Sequence, residues 1–262
     1  MRSLWFSLCL VSAACGSVLE PPPKVACGPS TCSGCCQGER CLEGASDSAC
    51  GRAGEQCADC GSSRICTNAT CEVEPLPVGA KVVFVTRTTF KGNLGGLVGA
   101  DRLCEAAAGA GTLPGRFKAW LSTNEWDSTR RVAVYVHAAD RFVSNGPWYL
   151  PGVNDRGRRM QVFTSRAALR SAPLLPIDRT ELGTNAGISP GGRNVFTGTQ
   201  ATGMSLPVTA FDQPQSTCAN WTESSSSFRA TIGTVYGQGG DWTALSDTNS
   251  CANDLSLYCF ED

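Results

Sequence analysis

The hydrophobic positions after residue 80 fall in short runs that are separated by Gly, Pro, Asn and Asp. The run KVVFVT at residues 81–86 is rich in β-branched side chains, which predicts a strand. FKAWLS at 117–122 and VAVYVHAA at 132–139 are further strand candidates. Strands and helices do not alternate along this region, as they would in a doubly wound fold. The pattern therefore argues against a nucleotide-binding domain of that type.

One segment has a clear helical pattern, ADRLCEAAAGA at residues 100–110. Leu103, Ala106 and Ala107 fall on one face at helical spacing, with Cys104 beside them. This spacing predicts a helix with an apolar face.

Several glycines precede this helix and raise the question of a phosphate-binding loop. A dinucleotide fingerprint requires Gly-x-Gly-x-x-Gly and an acidic residue about 20 positions later, whereas this chain has Gly-Gly-x-x-Gly and lacks the acid. A P-loop would need Gly-Lys-Ser/Thr, which is also missing here. We expect instead that Gly95, Gly96 and Gly99 allow a tight turn and close packing. Asp101 is expected in the positive first turn of the helix.

Cysteine is concentrated before the predicted strands, since ten of the sixteen cysteines lie between Cys27 and Cys71. This segment has too few large apolar residues to form a core, so cross-links must fix its fold. The pairs Cys32/Cys35 and Cys57/Cys60 have zinc-ribbon-like spacing and leave a metal site as an alternative. The even number of cysteines and the export signal described below favour disulfides.

Two partitions of these ten cysteines are open. In the first, residues 27–41 and 50–71 are duplicated halves with five cysteines each, so at least one bridge must join them. In the second, the first six cysteines, through Cys50, form a knot-like group, and the last four form two further bridges. The sequence does not decide between these partitions.

Residues 1–15, MRSLWFSLCLVSAAC, have the features of an export signal: Arg2, an apolar run at 4–11 and small residues before Cys15. The apolar run is too short to cross a bilayer as a permanent helix. The ending VSAAC resembles the lipobox of bacterial lipoproteins, which implies that Cys15 carries a lipid. A plain secretory signal is the alternative. In either case the mature chain leaves the reducing cytoplasm.

These features divide the chain into five segments. A Pro-rich stalk at 16–26 follows the signal at 1–15, and its three consecutive prolines favour an extended path. The cysteine-rich module spans 27–71, a second Pro-containing linker spans 72–80, and the large domain spans 81–262.

The segment GGLVGADRLCEAAAGAGTLPGRFKAWLS, residues 95–122, resembles part of endostatin, the C-terminal domain of certain collagens. NVFTGT, CANWTESSSS and SCANDLSLYCFED look like its closing segments. More similar still is a group of bacterial lipoproteins whose domain of unknown function has an endostatin-like, C-type lectin-like fold. The resemblance implies an α+β fold for the large domain. It also implies two nested disulfides, Cys104 with Cys259 and Cys218 with Cys251.

The chain has one histidine, His137, within VAVYVHAA. No Ser-His-Asp arrangement or His-Glu-x-x-His motif surrounds it, and we interpret it as a structural residue. The histidines of endostatin's zinc site have no counterpart near the start of the large domain. Four residues could supply oxygen ligands for calcium: Asp247, Asn249, Asn253 and Asp254. The alternative is that these Asn and Asp residues cap turns. We expect no catalytic residue, no metal and no cofactor.

Arginines are the main candidates for ligand binding. Endostatin binds heparin through surface arginines, and guanidinium groups suit sulfate and carboxylate groups. The candidate residues for polyanion binding are Arg156, Arg158, Arg159, Arg166 and Arg170, together with Arg130 and Arg131.

Aromatic side chains offer a second candidate surface, for stacking on a sugar or contacting a protein. Trp221 and Trp242 look like framework residues in the similar families, so we expect those two in the core. The other candidates are Trp126, Trp148, Tyr149 and Tyr236.

The formal net charge is −1, so we expect no general attraction to nucleic acid. The sequence as a whole predicts a non-enzymatic protein of the bacterial cell envelope, at the outer membrane or cell surface, that is attached through a lipid anchor. Its expected partner is an extracellular glycan, polyanion or protein. The alternative is a structural envelope or coat protein with no specific ligand.

Overall fold

The computed structural model describes residues 26–61, 64–186, 193–208 and 216–262. The signal segment with Cys15 and the stalk up to residue 25 lie outside the described residues. Within the described ranges, no helix combines the length and the apolar character that a membrane crossing requires.

The cysteine-rich module contains three two-stranded hairpins. Gly38 in the first turn and Asn68 with Ala69 in the third have φ values of 62°, 52° and 62°. Glycine and asparagine adopt this left-handed region more readily than other residues, so Gly38 and Asn68 suit these turns, whereas Ala69 adopts it at a cost of about 1–2 kcal/mol. The six strands are β1 (Cys35–Gln37), β2 (Arg40–Leu42), β3 (Ala45–Ser46), β4 (Ala49–Cys50), β5 (Ile65–Thr67) and β6 (Thr70–Glu72).

Five disulfides cross-link the module, and one of them, Cys35–Cys57, joins its two halves. The partition into a six-cysteine group and two further bridges is wrong, because Cys35 and Cys50 bond to cysteines outside that group. The duplicated halves with a joining bridge describe the module correctly. The bridges are Cys27–Cys36, Cys32–Cys41, Cys35–Cys57, Cys50–Cys66 and Cys60–Cys71.

The same bridges separate the two Cys-x-x-Cys pairs that a zinc ribbon would use. Cys32 bonds to Cys41 and Cys60 bonds to Cys71, so these sulfurs are not free thiolates. In the part of the chain that the structure describes, the groups of three or more Cys, His, Asp or Glu side chains close enough for one metal ion are two sets of bonded cysteines.

Each half of the module has a hairpin in which two cysteines lie directly opposite each other without being bonded. Cys36 opposes Cys41 in the first half, and Cys66 opposes Cys71 in the second. In both halves the first of these two cysteines bonds to the cysteine that opens the half. The shared register and bonding agree with the duplication that the sequence indicates.

The large domain follows the short-strand pattern of its sequence. Its described residues contain one regular α-helix, α1 (Gly96–Ala110), and short 3-10 helices η1 (Ala138–Asp140), η2 (Arg166–Arg170) and η3 (Gly240–Trp242). Its strands are β7 (Lys81–Val85), β8 (Phe117–Ala119), β9 (Thr123–Asp127), β10 (Val132–Val136), β11 (Trp148–Tyr149), β12 (Gln161–Phe163), β13 (Asn194–Phe196), β14 (Arg229–Thr234), β15 (Thr248–Ser250) and β16 (Ser256–Glu261).

Eight of these strands form one mixed sheet in the order β12-β11-β7-β16-β13-β14-β15, with β8 also paired to β16. The central strands β7 and β16 are antiparallel. Strand β11 joins β7 in parallel, and β13 joins β16 in parallel. Strands β9 and β10 form a separate antiparallel pair, the β9–β10 ribbon.

Both faces of β7 are buried, in agreement with its continuous apolar sequence. Val82 and Phe84 pack in one core with the buried face of α1. Val83 and Val85 pack in a second core on the opposite face, which is rich in aromatic side chains such as Trp120. The second core also takes in buried residues of η1 and η2, so these short helices form part of its cover.

The expectation of an α+β domain with an endostatin-like or C-type lectin-like fold is wrong. The described residues are 30% strand and 14% helix, so the structure is mostly β with a mixed sheet. The physical reason is that one 15-residue helix covers one face of the sheet, whereas loops and 3-10 helices close the aromatic core on the other face. The motifs behind the resemblance specify the helix start and the late cysteines. They do not specify which elements cover the two faces of the sheet.

Helix α1 begins at Gly96, four residues before the segment with the helical pattern. Its apolar face is turned relative to the one we expected, because Ala106 is exposed while Leu103 and Ala107 are half-buried. The fully buried residues are Ala100, Cys104 and Ala108.

The glycines at the helix start have the expected role. Gly95 and Gly96 have φ values of 75° and 71°, and a Cβ on Gly99 would lie 2.0 Å from the Leu94 carbonyl oxygen. The tight turn and the close packing are therefore confirmed. Asp101, however, is not in the first turn of the helix, and our expectation for this residue is wrong.

Two buried disulfides cross-link the large domain, Cys104–Cys259 and Cys218–Cys251, which are the pairs that the resemblance implies. The first ties α1 to β16. The second begins at Cys218–Trp221, a left-handed turn in which four consecutive non-glycine residues have φ between 50° and 67°. Each such residue costs about 1–2 kcal/mol. The disulfide and a hydrogen bond from the Trp221 indole to the Ser122 carbonyl, 2.8 Å, hold the turn in place.

Candidate functional site

A surface cleft of about 310 Å³ lies beside η1 and η2. The apolar residues of these helices, including Ala138 and Leu169, are buried in the aromatic core. Their polar residues therefore remain at the surface, where they form the walls of the cleft. The cleft is lined by Ala139, Asp140, Asn145, Arg166, Ala167 and Arg170.

Helix η2 begins at Arg166 and ends at Arg170, so both guanidinium groups border the same cleft. Arg166 Nη1 donates to the Phe142 carbonyl at 3.2 Å, which fixes one side of its guanidinium. Arg170 forms an ion pair with Asp140 and still keeps 43% of its side-chain surface exposed. Because a guanidinium has five N–H donors, both arginines can hold these contacts and also bind an anionic group.

His137 immediately precedes η1, whose residues Ala139 and Asp140 line the cleft. Its Nδ1 accepts a hydrogen bond from the Ser205 backbone N–H at 2.9 Å, so the proton of the neutral ring is on Nε2. Tyr135 stacks on the imidazole, with ring centroids 5.8 Å apart. Among the described residues, no hydroxyl or carboxylate forms a hydrogen bond with this ring. Those residues therefore give His137 no nucleophile to activate as a base.

Tyr258 also acts as a structural group. Burial raises the pKa of its phenol well above the ordinary value, and the Asp241 and Asp178 carboxylates raise it further. The hydroxyl donates a hydrogen bond to the Thr234 carbonyl at 2.9 Å. The phenol therefore stays protonated and serves as a buried donor.

The structure separates the five predicted arginines into two groups. Arg158 lies 3.5 Å from Asp47 in the cysteine-rich module and 3.8 Å from Glu74 in the linker. Arg159 donates from its backbone N–H to the Glu74 carboxylate and from Nε to the Glu74 carbonyl, both at 2.6 Å. Arg156 is exposed in the same loop. Only Arg166 and Arg170 of the five border the cleft.

These contacts also fix the linker. The Glu74 N–H donates to the Gly157 carbonyl at 3.1 Å, and Leu76 packs against the core on the helix side of the sheet. The segment therefore lies against the large domain instead of extending away from it.

The predicted aromatic surface does not form as one patch. Trp221 and Trp242 are fully buried, as expected for core residues, and Trp148 is fully buried as well. Trp126 and Tyr149 are half-buried, and Tyr236 is exposed.

Two of the four residues that could have held calcium, Asn249 and Asn253, are hydrogen-bonded to each other. The Asn253 side-chain amide, in the turn that follows β15, donates to the side-chain Oδ1 of Asn249 at the end of that strand, at 2.5 Å. This contact agrees with turn capping.

Sequence reasoning missed two residues of the cleft, Asp140 and Asn145. Asp140 ends a three-residue 3-10 helix, and Asn145 accepts a hydrogen bond from the Arg166 backbone N–H through its carbonyl oxygen at 3.0 Å. Asp140 was visible in the sequence as an acidic residue, but its contact with Arg170 spans 30 residues and leaves no local pattern.

Fold and site together define a disulfide-stabilised, mostly β domain with an arginine-lined surface cleft, preceded by a cysteine-rich module. Residues 87–238 match the family described as a protein of unknown function, DUF1554, and the chain belongs to that family. The expected domain of unknown function behind a cysteine-rich region is therefore confirmed. Comparison with curated proteins gives no match.

Proposed function

We propose that this chain is an exported, non-enzymatic binding protein that holds an anionic group of an extracellular glycan in the cleft beside η1 and η2. The observation that supports this most directly is the pair of exposed arginines, Arg166 and Arg170, on one cleft wall. Planar guanidinium groups suit the paired oxygens of carboxylates and sulfates.

The other groups of the cleft fit a sugar. Asp140 orients the Arg170 guanidinium and offers a second carboxylate oxygen to a sugar hydroxyl. The Asn145 side chain has both a donor and an acceptor for hydroxyl groups. Mixed donors and acceptors around two cations favour an acidic glycan over a small inorganic anion.

The cysteine chemistry supports an extracytoplasmic location. Seven disulfides occur in the described residues, and such bonds persist in oxidising compartments. We extend the proposal to attachment at the bacterial cell envelope through a lipid on Cys15. That residue lies outside the described residues, so the support for the anchor is the sequence VSAAC alone.

A glycan array with sulfated and carboxylated sugars beside their neutral counterparts tests the proposal. We expect binding to the acidic sugars only, weaker at high ionic strength because salt screens exposed charges. Arg166→Ala with Arg170→Ala should lower the affinity about tenfold or more, since each removes a charge-assisted hydrogen bond.

Arg102→Ala is the matched control, because Arg102 is an exposed arginine on α1. It should bind like the unmodified protein. Equal binding by the double variant would contradict the assignment of the cleft. Absence of any glycan binding by the unmodified protein would favour the structural envelope or coat role instead.

A further inference from the structure

In the part of the chain that the structure describes, the outer edge of β10 in the β9–β10 ribbon is exposed. Among the described residues, β10 pairs only with β9, so its other edge has unpaired backbone groups. Its side chains are apolar and exposed: Val132 47%, Val134 45%, Tyr135 37% and Val136 37%. Native edge strands usually carry Lys, Pro or a bulge that prevents pairing with another chain. Residues 132–136, VAVYV, contain neither Lys nor Pro, and the register with β9 is continuous.

Charge is distributed along the ribbon in a self-complementary way. Arg130 and Arg131 lie in the turn at its tip; Arg130 is 3.7 Å from Asp127, and its side chain is still 78% exposed. Asp140 lies at the root of the ribbon just after β10; one of its oxygens pairs with Arg170, and its side chain is still 55% exposed. Two ribbons that run antiparallel therefore bring the exposed tip arginines of each copy toward the second carboxylate oxygen of Asp140 in the other. Two-fold symmetry satisfies both contacts at once.

We propose that two copies of this chain associate through their β10 strands, paired antiparallel and centred on Val134. In that register Val132 of each copy lies opposite Val136 of the other, and Val134 lies opposite its own counterpart. Arg130 comes opposite Ala138, two residues from Asp140 of the other copy. Residues 138–140 form η1, in which each residue advances about 2 Å, so this separation is within the reach of an arginine side chain. The proposal does not rest on the proposed glycan binding, but the two share Asp140, which also borders the cleft.

Sedimentation equilibrium of the purified chain over a wide range of concentrations tests the association. We expect a reversible monomer–dimer equilibrium for the unmodified protein. Val134→Lys places two like charges opposite each other at the symmetry axis and should raise the dimer dissociation constant about tenfold or more. Val98→Lys is the control, because Val98 is a 64% exposed valine on α1; this variant should dimerise like the unmodified protein.

A charge exchange tests the register. Arg130→Glu should weaken the dimer, and adding Asp140→Arg to it should restore association, since the charges at the two ends are then exchanged. Hydrogen exchange of the β10 amides should slow as the dimer forms. A chain that is monomeric at all concentrations would overturn the proposal. So would a dimer that Val134→Lys leaves unchanged, since association would then use another surface.

Discussion

Asp101 connects three elements of the large domain through one carboxylate. It accepts two hydrogen bonds from Arg141 Nη2, at 2.8 and 2.7 Å, and one from the Ala119 backbone N–H at 2.9 Å. The Arg141 side chain is only 8% exposed, so this pair is largely removed from water. The sequence suggested a helix-dipole role for Asp101 because the helix start was placed too late. Its actual partners lie 18 and 40 residues away and leave no local pattern.

The carboxyl of Asp262 links the stability of the fold to pH. Burial alone would raise the pKa of its carboxyl, but hydrogen bonds from Lys118, Ser144 and Val143 outweigh burial and hold that pKa below the ordinary value. A carboxyl with a lowered folded-state pKa stabilises the fold above its ordinary pKa, and this stabilisation is lost as the pH falls through the folded-state pKa.

We therefore expect Asp262→Asn to lower the free energy of unfolding by about 2 kcal/mol at neutral pH, since it weakens hydrogen bonds to a charged group. The difference from the unmodified protein should shrink as the pH falls below about 4. Urea unfolding at a series of pH values measures it. Asp155→Asn, at an exposed aspartate, is the control and should have little effect. A difference that stays constant from neutral to acidic pH would show that the charge of Asp262 does not contribute.

Helix α1 shows how two glycines of one element have opposite roles. A Cβ on Gly99 would collide with the Leu94 carbonyl, whereas a Cβ on Gly109 would have no atom within 4 Å. We expect Gly99→Ala to destabilise the protein by about 2 kcal/mol through overpacking. Gly109→Ala should stabilise it by about 0.5–1 kcal/mol, because alanine has the higher helix propensity. Denaturant unfolding of the two variants compares them directly, and equal effects would contradict the packing argument.

The elements that could be predicted from the sequence are those with a strong local pattern. Strands β7, β8 and β10 lie within predicted apolar runs, and α1 contains the predicted helical segment. Strands such as β11, with two residues, form because partners distant in the sequence supply their hydrogen bonds. The 3-10 helices η1 and η2 are likewise held by the aromatic core. No pattern within a few residues specifies such elements.

At the scale of the whole molecule, the two disulfides of the large domain close loops of very different length. Cys104–Cys259 spans 155 residues and Cys218–Cys251 spans 33. Chain entropy predicts that loss of the first bridge costs about 5 kcal/mol and loss of the second about 4 kcal/mol.

We expect the Cys104→Ala/Cys259→Ala variant to be less stable than Cys218→Ala/Cys251→Ala by thermal unfolding, since all four cysteines are fully buried and both variants remove the same atoms. If Cys218→Ala/Cys251→Ala were instead the less stable variant, the left-handed turn at Cys218, and not loop length, would determine how much stability each disulfide contributes.

The candidate site depended on this same long-range organisation. Arg166 and Arg170 could be named from the sequence, because a basic run in a turn-rich region is visible without a fold. The separation of these two residues from Arg158 and Arg159 could not be predicted, because it depends on the three-dimensional positions of the linker and Asp47. Arg158 and Arg159 thus contact the cysteine-rich module and the linker instead of the cleft.

The attachment of Glu74 to the loop around Arg159 has a consequence for orientation. The linker packs on the large domain through hydrogen bonds and through Leu76, so it does not act as a flexible hinge. These contacts, together with the approach of Arg158 to Asp47, set the orientation of the cysteine-rich module relative to the sheet and therefore relative to the cleft.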